Sequence, residues 1–208
     1  MRNKIIEYGK YFSKRTFTFR TFYKANKVIM QNRKIVRRAM RSEKISEAFR
    51  ERIMLVVTAV NGCRYCAWGH TDWAKKAGCN EEEIKELMKF NFNISSEEES
   101  LALMFAQHFT ETEENPQKEA LEQLIDFYGE EEAENILIII RMISIGNLLG
   151  NTFDAFLSRF IGKPPEKGSI IFEFFVFLFS FPFLIPYRIK KDREERKKKR
   201  RKNNENRK

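Results

Sequence analysis

The sequence predicts an all-α fold for its middle, and three observations carry that expectation. Acidic and capping residues open one segment after another. Asn80-Glu81-Glu82-Glu83, Ser95-Ser96-Glu97-Glu98-Glu99 and Glu119 each precede apolar residues at helical spacing. Glycines such as Gly78 and Gly129 punctuate the segments, and strand-like alternation is sparse with no βαβ succession. A chain of 208 residues with 42% hydrophobic content suits one domain plus tails.

Taken in order, residues 1–41 read as a basic aromatic extension that includes a first helix. Tyr8, Tyr11, Phe12, Phe17, Phe19, Phe22 and Tyr23 are interleaved there with lysines and arginines. Ser42 to Val60 mixes polar and apolar residues at helical spacing. Ile53–Val60 alone also fits a buried strand, which would suit a thioredoxin-like unit with Cys-x-x-Cys after a strand. The missing βαβ pattern and the missing Gly-Pro between the cysteines weigh against that alternative. A motif helix follows, with Asn61 as its N-cap candidate and Gly62 turning the backbone just before it. A helix carrying Ile84, Leu87 and Met88 opens at Asn80, with acids at its positive end. The next runs through Leu101, Leu103, Met104, Phe105 and Phe109, and a short one spans Glu119 to Tyr128. Glu131 to Phe160 reads as one long buried helix or a pair, where Gly146 and Gly150 permit close backbone approach.

The chemistry concentrates in Asn61-Gly62-Cys63-Arg64-Tyr65-Cys66-Ala67-Trp68-Gly69-His70. On a helix, Cys63 and Cys66 are three apart and Cys66 and His70 four apart, so all three share one face. Two thiols within disulfide reach, one turn from an imidazole, are equipment for reversible sulfur redox chemistry. A helix N-terminus also favours the thiolate. Cys-x-x-Cys alone is a weak signal, because haem and zinc sites use it too. Haem attachment fails because Ala67, not His, follows Cys66. Zinc wants four ligands, and Cys63, Cys66, His70 with Cys79 or Glu51 compose such a set only in principle. His108, on an apolar helix, reads as a packed core or edge histidine, and Cys79 as structural. Trp68 and Trp73 suit a pocket, the core or a subunit contact equally. Asn147, Asn151 and Asp154 form a polar row that either faces the site or satisfies helix ends.

The stretch from Glu51 through Cys63-Arg-Tyr-Cys66-Ala-Trp-Gly-His70 to Ala77-Gly78 closely resembles the core motif of AhpD-like alkylhydroperoxidases of the carboxymuconolactone decarboxylase superfamily. The match is a carboxylate twelve positions before the first cysteine, then C-x2-C-x3-H, then a helix ending in Ala-Gly. It extends more loosely from about Phe22 to Phe160. The resemblance implies an all-α AhpD-like catalytic domain over residues 42–165 that assembles as a homo-oligomer, trimeric or hexameric. It implies a thiol-dependent peroxidase or disulfide reductase that needs no cofactor and no metal. Carried over by position, Cys66 attacks the hydroperoxide, Cys63 resolves it into a disulfide, His70 takes the thiol proton and Glu51 orients the imidazole. A dithiol or protein reductant then restores the pair. The best-known members place a histidine just before the second cysteine, where this chain has Tyr65. The lactone-decarboxylating branch lacks the cysteines, so its chemistry is not carried over. The alternative is a non-peroxidase protein of the same fold that binds a metal or a partner as a membrane-associated scaffold.

Charge is unevenly spread around the net +10. Residues 1–41 hold thirteen Lys/Arg against one acid, and residues 188–208 hold thirteen against four, while the middle is acidic. Residues 166–187 are a hydrophobic segment. Its run Ile170 to Tyr187 is 18 residues with a single charge, Glu173. As a helix it covers about 27 Å, marginal for a hydrocarbon core of about 30 Å, and Pro182 and Pro186 should break it. No secretory signal stands at the N-terminus, and a dithiol suits a reducing cytosol. The expectation is a cytoplasmic protein seated peripherally on an anionic membrane surface at both ends, with residues 188–208 a disordered polybasic tail. Packing of the Phe-rich run into an oligomer is the competing reading. Neither tail carries a recognisable nucleic-acid module.

Overall fold

A computed structural model of the chain describes residues 12–93, 95–166 and 168–205. Among these, the elements are all helical: α1 Phe19–Gln31, α2 Arg33–Ala39, α3 Glu47–Asn61, α4 Arg64–Lys76, α5 Glu81–Leu87, α6 Glu97–Glu111, α7 Lys118–Tyr128, α8 Glu130–Arg159 and α9 Ile170–Glu205. The one β-type pairing among the described residues is an isolated bridge between Phe12 and Pro165. Tyr8 and Tyr11 of the aromatic extension lie outside the described residues, as do Asn206, Arg207 and Lys208.

Helix α3 is the hub. Ser46 caps it by accepting the Phe49 N–H, and Ile53, Met54, Leu55, Val56 and Val57 are all buried. A helix apolar all round must be enclosed, and α3 is, by α4, α5, α6 and α8. That enclosure overrides the strand preference of its β-branched run, so the thioredoxin-like alternative falls away. Asn80 and Ser96 cap α5 and α6 as the acidic openings indicate, Asn80 in a full capping box. Arg52 on α3 ties both starts together by pairing with Glu83 and Glu99.

Gly129 closes α7 and opens α8 with φ +78°, a left-handed angle suited to glycine. Glu131 to Phe160 proves to be one helix rather than a pair, and its buried residues run from Glu132 to Ser158. The basic extension joins the domain through α2, whose Ala39 is fully buried and whose Arg38 bonds Asn135 and Glu134 of α8.

One expectation about the C-terminus is corrected. Pro182 and Pro186 lie inside α9 without ending it, and the helix continues through the basic stretch to Glu205. The prolines fall on a helix anchored on both sides by packing, which absorbs the backbone bonds they remove. Upstream, Phe172 and Val176 are buried, and Phe177 stacks on Phe153 of α8 at 5.4 Å. Downstream, Arg188 reaches Asp154 at 3.7 Å and Lys191 reaches Asp72 of α4 at 2.9 Å. Lysine, arginine and glutamate are themselves strong helix formers.

The root of α9 is locked by Glu173, fully buried and bonded twice by Arg159 of α8, Nε at 2.6 Å and Nη2 at 3.0 Å. Arg159→Met leaves that carboxylate unpaired, and we expect a loss of about 3 kcal/mol. Thermal unfolding should fall by about 6–12 °C, and the double variant Arg159→Met/Glu173→Leu should recover most of it. Calorimetry of both proteins checks this, and equal losses in the two would refute it.

Candidate active site

The site is built on the turn between α3 and α4. Gly62 ends α3 with φ +67° and ψ 26°, and its N–H bonds Thr58 O at 2.8 Å. The left-handed angle favours glycine. The chain enters α4 one residue later, at Cys63. Cys63 is itself the N-cap, its Sγ accepting the Cys66 N–H at 3.4 Å. Asn61 is thus not the cap of the motif helix. It belongs to the last turn of α3, because the reversal falls at Gly62.

Cys63 and Cys66 are free thiols with their sulfurs 3.0 Å apart. A disulfide is about 2.05 Å long, so closure needs roughly 1 Å of approach. Helix α8 passes directly beneath. A Cβ at Gly150 would stand 2.6 Å from Cys63 Sγ and 3.4 Å from Tyr65, and one at Gly146 would stand 4.0 Å from Cys66 Sγ. The close approach expected at these glycines is therefore approach to the sulfur pair. His70 follows Cys66 by one turn of α4, and its Nδ1 lies 2.7 Å from Glu51 Oε2 on α3. Both side chains are buried, so an ionised Glu51 fixes the proton on Nδ1 and leaves Nε2 as the basic nitrogen. Trp73 packs edge-on against the imidazole at 4.9 Å and is half exposed, which places it at the rim.

Charge around the pair is asymmetric. Lys14 reaches in from the N-terminal segment, with Nζ donating to Gly62 O at 2.6 Å, and its own burial lowers its pKa. The Cys63 thiol is held below the ordinary value. The hydrogen bond from Cys66 Sγ contributes most, opposed by burial and aided by the Cys66 and Tyr65 N–H groups and the Lys14 charge. The Cys66 thiol is pushed up, first by that same bond and then by burial. Of the two sulfurs, Cys63 is thus the one favoured for negative charge and Cys66 the one favoured for the proton. Nothing in the motif signals Lys14, which lies 48 residues before Gly62 within a basic run.

Tyr65 is tied to α8. Its hydroxyl donates to Asp154 Oδ1 at 2.8 Å, and burial followed by the Asp154 charge holds the phenol protonated. Arg64 Nε takes the other Asp154 oxygen at 2.8 Å. The polar row on α8 thus faces the α3–α4 turn. Asn151 Nδ2 donates to Asn61 O at 2.8 Å, and Thr58 donates to Asn147 Oδ1 at 3.0 Å. Among the described residues, the Asn61 amide, Asn147 Nδ2 and Asn151 Oδ1 are buried without a hydrogen-bond partner. Each such atom costs about 1–3 kcal/mol, a load that inert cores avoid.

The remaining candidates separate from the pair. Cys79 is buried in an apolar cluster with Leu55, Ala74 and Ile84. His108 Nε2 accepts the Gln117 N–H at 3.1 Å, an edge role. Trp68 packs on Tyr65 and on Tyr187 of α9. Among the described residues, no group of three or more His, Cys, Asp or Glu side chains stands in a metal-holding arrangement.

Two outcomes follow from this geometry. Lys14→Met removes the cation beside Cys63, so the pH midpoint of Cys63 alkylation should rise. Its iodoacetamide reactivity at pH 7 should fall roughly fivefold, a charge effect of about 1 kcal/mol. Peptide mapping after timed alkylation reads this, and unchanged Cys63 kinetics would contradict it. Gly150→Ala sets a methyl group against Cys63 Sγ and should destabilise the fold by about 1–3 kcal/mol, measured by denaturant unfolding.

A model of the "Carboxymuconolactone decarboxylase family" matches residues 29–92, which hold all of α2 and α3, the turn, α4 and α5. "Uncharacterized protein YdfG" of Bacillus subtilis (strain 168) is 32% identical over 108 residues, covering 50% of this chain and 71% of the relative. No solved structure matches the chain. The all-helical architecture, the matched segment and the extent of that relative agree, and this chain belongs to the carboxymuconolactone decarboxylase family.

Proposed function

We propose that the chain is a thiol-dependent peroxidase acting through Cys63 and Cys66, with His70 and Glu51 as the proton-handling pair. The observation that carries this reading is two reduced sulfurs 3.0 Å apart, on the helix that also holds an imidazole oriented by a buried carboxylate. Family membership supports it at the level of the fold and of the enzyme classes the family includes.

The charge distribution sets the order of events. Cys66, less buried than Cys63 and protonated at rest, attacks the terminal oxygen of a hydroperoxide as its proton passes to His70 Nε2. The O–O bond breaks, and the departing alkoxide takes that proton and leaves as an alcohol. Cys66 is now a sulfenic acid. Cys63, as its thiolate, displaces the hydroxide, which takes a proton from solvent and leaves as water, and the disulfide forms. The pair has given up two electrons and the peroxide has gained two. A dithiol or protein reductant returns them by exchange and becomes the disulfide in turn. The low-pKa sulfur is thus the resolving one, poised to trap the sulfenic acid before further oxidation. Assembly into a trimer or hexamer belongs to the same proposal, and light scattering tests it.

Cys66→Ser should abolish hydroperoxide consumption. Cys63→Ser should retain a single oxidation event at Cys66 without turnover, and His70→Gln should slow turnover by about 10²–10⁴-fold. Mass spectrometry of peroxide-treated protein should show a Cys63–Cys66 bond that a dithiol reverses. Undiminished turnover by Cys66→Ser would assign the attack elsewhere.

A further inference from the structure

Helix α9 presents one face to the domain and another to solvent. Phe172, Glu173 and Val176 are buried against the protein. Ile170, Ile171, Phe174, Phe175, Leu178 and Phe179 are 43–73% exposed. These six fall at 170/174/178 and 171/175/179, two adjacent rows of a single helical face. Phe181 and Phe183 are also exposed, and at Phe19 helix α1 widens the patch by packing edge-on against Phe172 at 4.7 Å and Phe175 at 6.3 Å. So extensive an apolar surface is unusual on a free monomer.

The charge beside the patch is predominantly basic. Further along the same face, Ile189 is followed by exposed Arg193 and Arg196, with Lys197 adjacent. On the α1 side, Arg20, Lys24 and Lys27 are exposed. The sequence beyond residue 187 holds thirteen bases against four acids.

We propose that this face of α9, with the adjoining edge of α1, lies in the plane of an anionic lipid bilayer. The aromatic side chains enter the headgroup–acyl boundary and the flanking lysines and arginines meet the lipid phosphates. An amphipathic helix that seats on a bilayer has this division of apolar and basic sectors. A second copy of the chain is a poorer occupant, because a two-fold contact over the patch would bring the same basic flanks together. The 25 residues Ile170–Glu194 are long and apolar enough to cross a membrane. Crossing, however, would surround α9 with lipid and strip Phe172, Val176 and the Arg159–Glu173 pair from the domain, so the helix lies flat. This reading is independent of the redox chemistry.

The test is co-sedimentation of the full chain with phosphatidylcholine vesicles containing or lacking 30% phosphatidylglycerol. Wild-type protein should pellet with the anionic vesicles, weakly with the neutral ones, and come off in high salt or alkaline carbonate. The variant Phe175→Gln/Leu178→Gln/Phe179→Gln changes only exposed side chains and should bind more than tenfold more weakly. Arg193→Gln/Arg196→Gln/Lys197→Gln should lose the preference for anionic lipid. Helix content by circular dichroism and the count of titratable thiols should be unchanged in both. Wild-type protein that stays in solution with anionic vesicles overturns the proposal. So does a glutamine variant that binds vesicles normally but falls to a lower solution mass, which would give the face to a second copy. Retention in carbonate-washed membranes would overturn the flat geometry in favour of a span.

Discussion

The closeness of α8 to the α3–α4 turn is the constraint on which the rest depends. Cys63 Sγ occupies space that any side chain at position 150 would claim. Because the glycine lets the helix backbone come so near, the sulfur pair is pressed between three helices and shielded on one side. The same approach brings Asp154 to Tyr65 and Arg64, and Asn151 to the end of α3. Packing and chemistry are therefore set by one contact. The turn itself is equally constrained, since Gly62 must adopt a left-handed angle for Cys63 to become the cap of α4.

Within that frame, charge separates two chemically identical side chains. Cys63, its pKa lowered first by the bond from Cys66, sits at the positive end of α4 and within the field of Lys14, while Cys66 lies one turn inside and its pKa is raised. An imidazole–carboxylate pair spans the helix interface, Glu51 on α3 holding His70 on α4, and both are buried. Tyr65 is engaged elsewhere. Its hydroxyl is consumed by Asp154, so the position reads as a structural tie between α4 and α8.

Much of this was legible from the residues. The capped, acid-opened helices at Asn80 and Ser96 are local signals with local causes, and they appear where the sequence places them. Helical periodicity puts Cys63, Cys66 and His70 on one face, whereas Glu51 comes only with the family resemblance, because it lies on a separate helix that no spacing relates to α4. What escaped depends on tertiary context. Lys14 has no motif, since its role comes from a non-helical segment laid over the turn. The cap shifted from Asn61 to Cys63 because a one-residue difference in the reversal point is not written in composition. Helix α9 runs through two prolines because α8, Asp154 and Asp72 grip it, and propensity alone cannot register such a grip.

The placement of the third thiol has its own consequence. Cys79 lies past the far end of α4, a helix of 13 residues or about 20 Å, in a separate apolar cluster where burial raises its pKa. Within one molecule, distance and its raised pKa both disfavour a bridge from Cys79 to the pair.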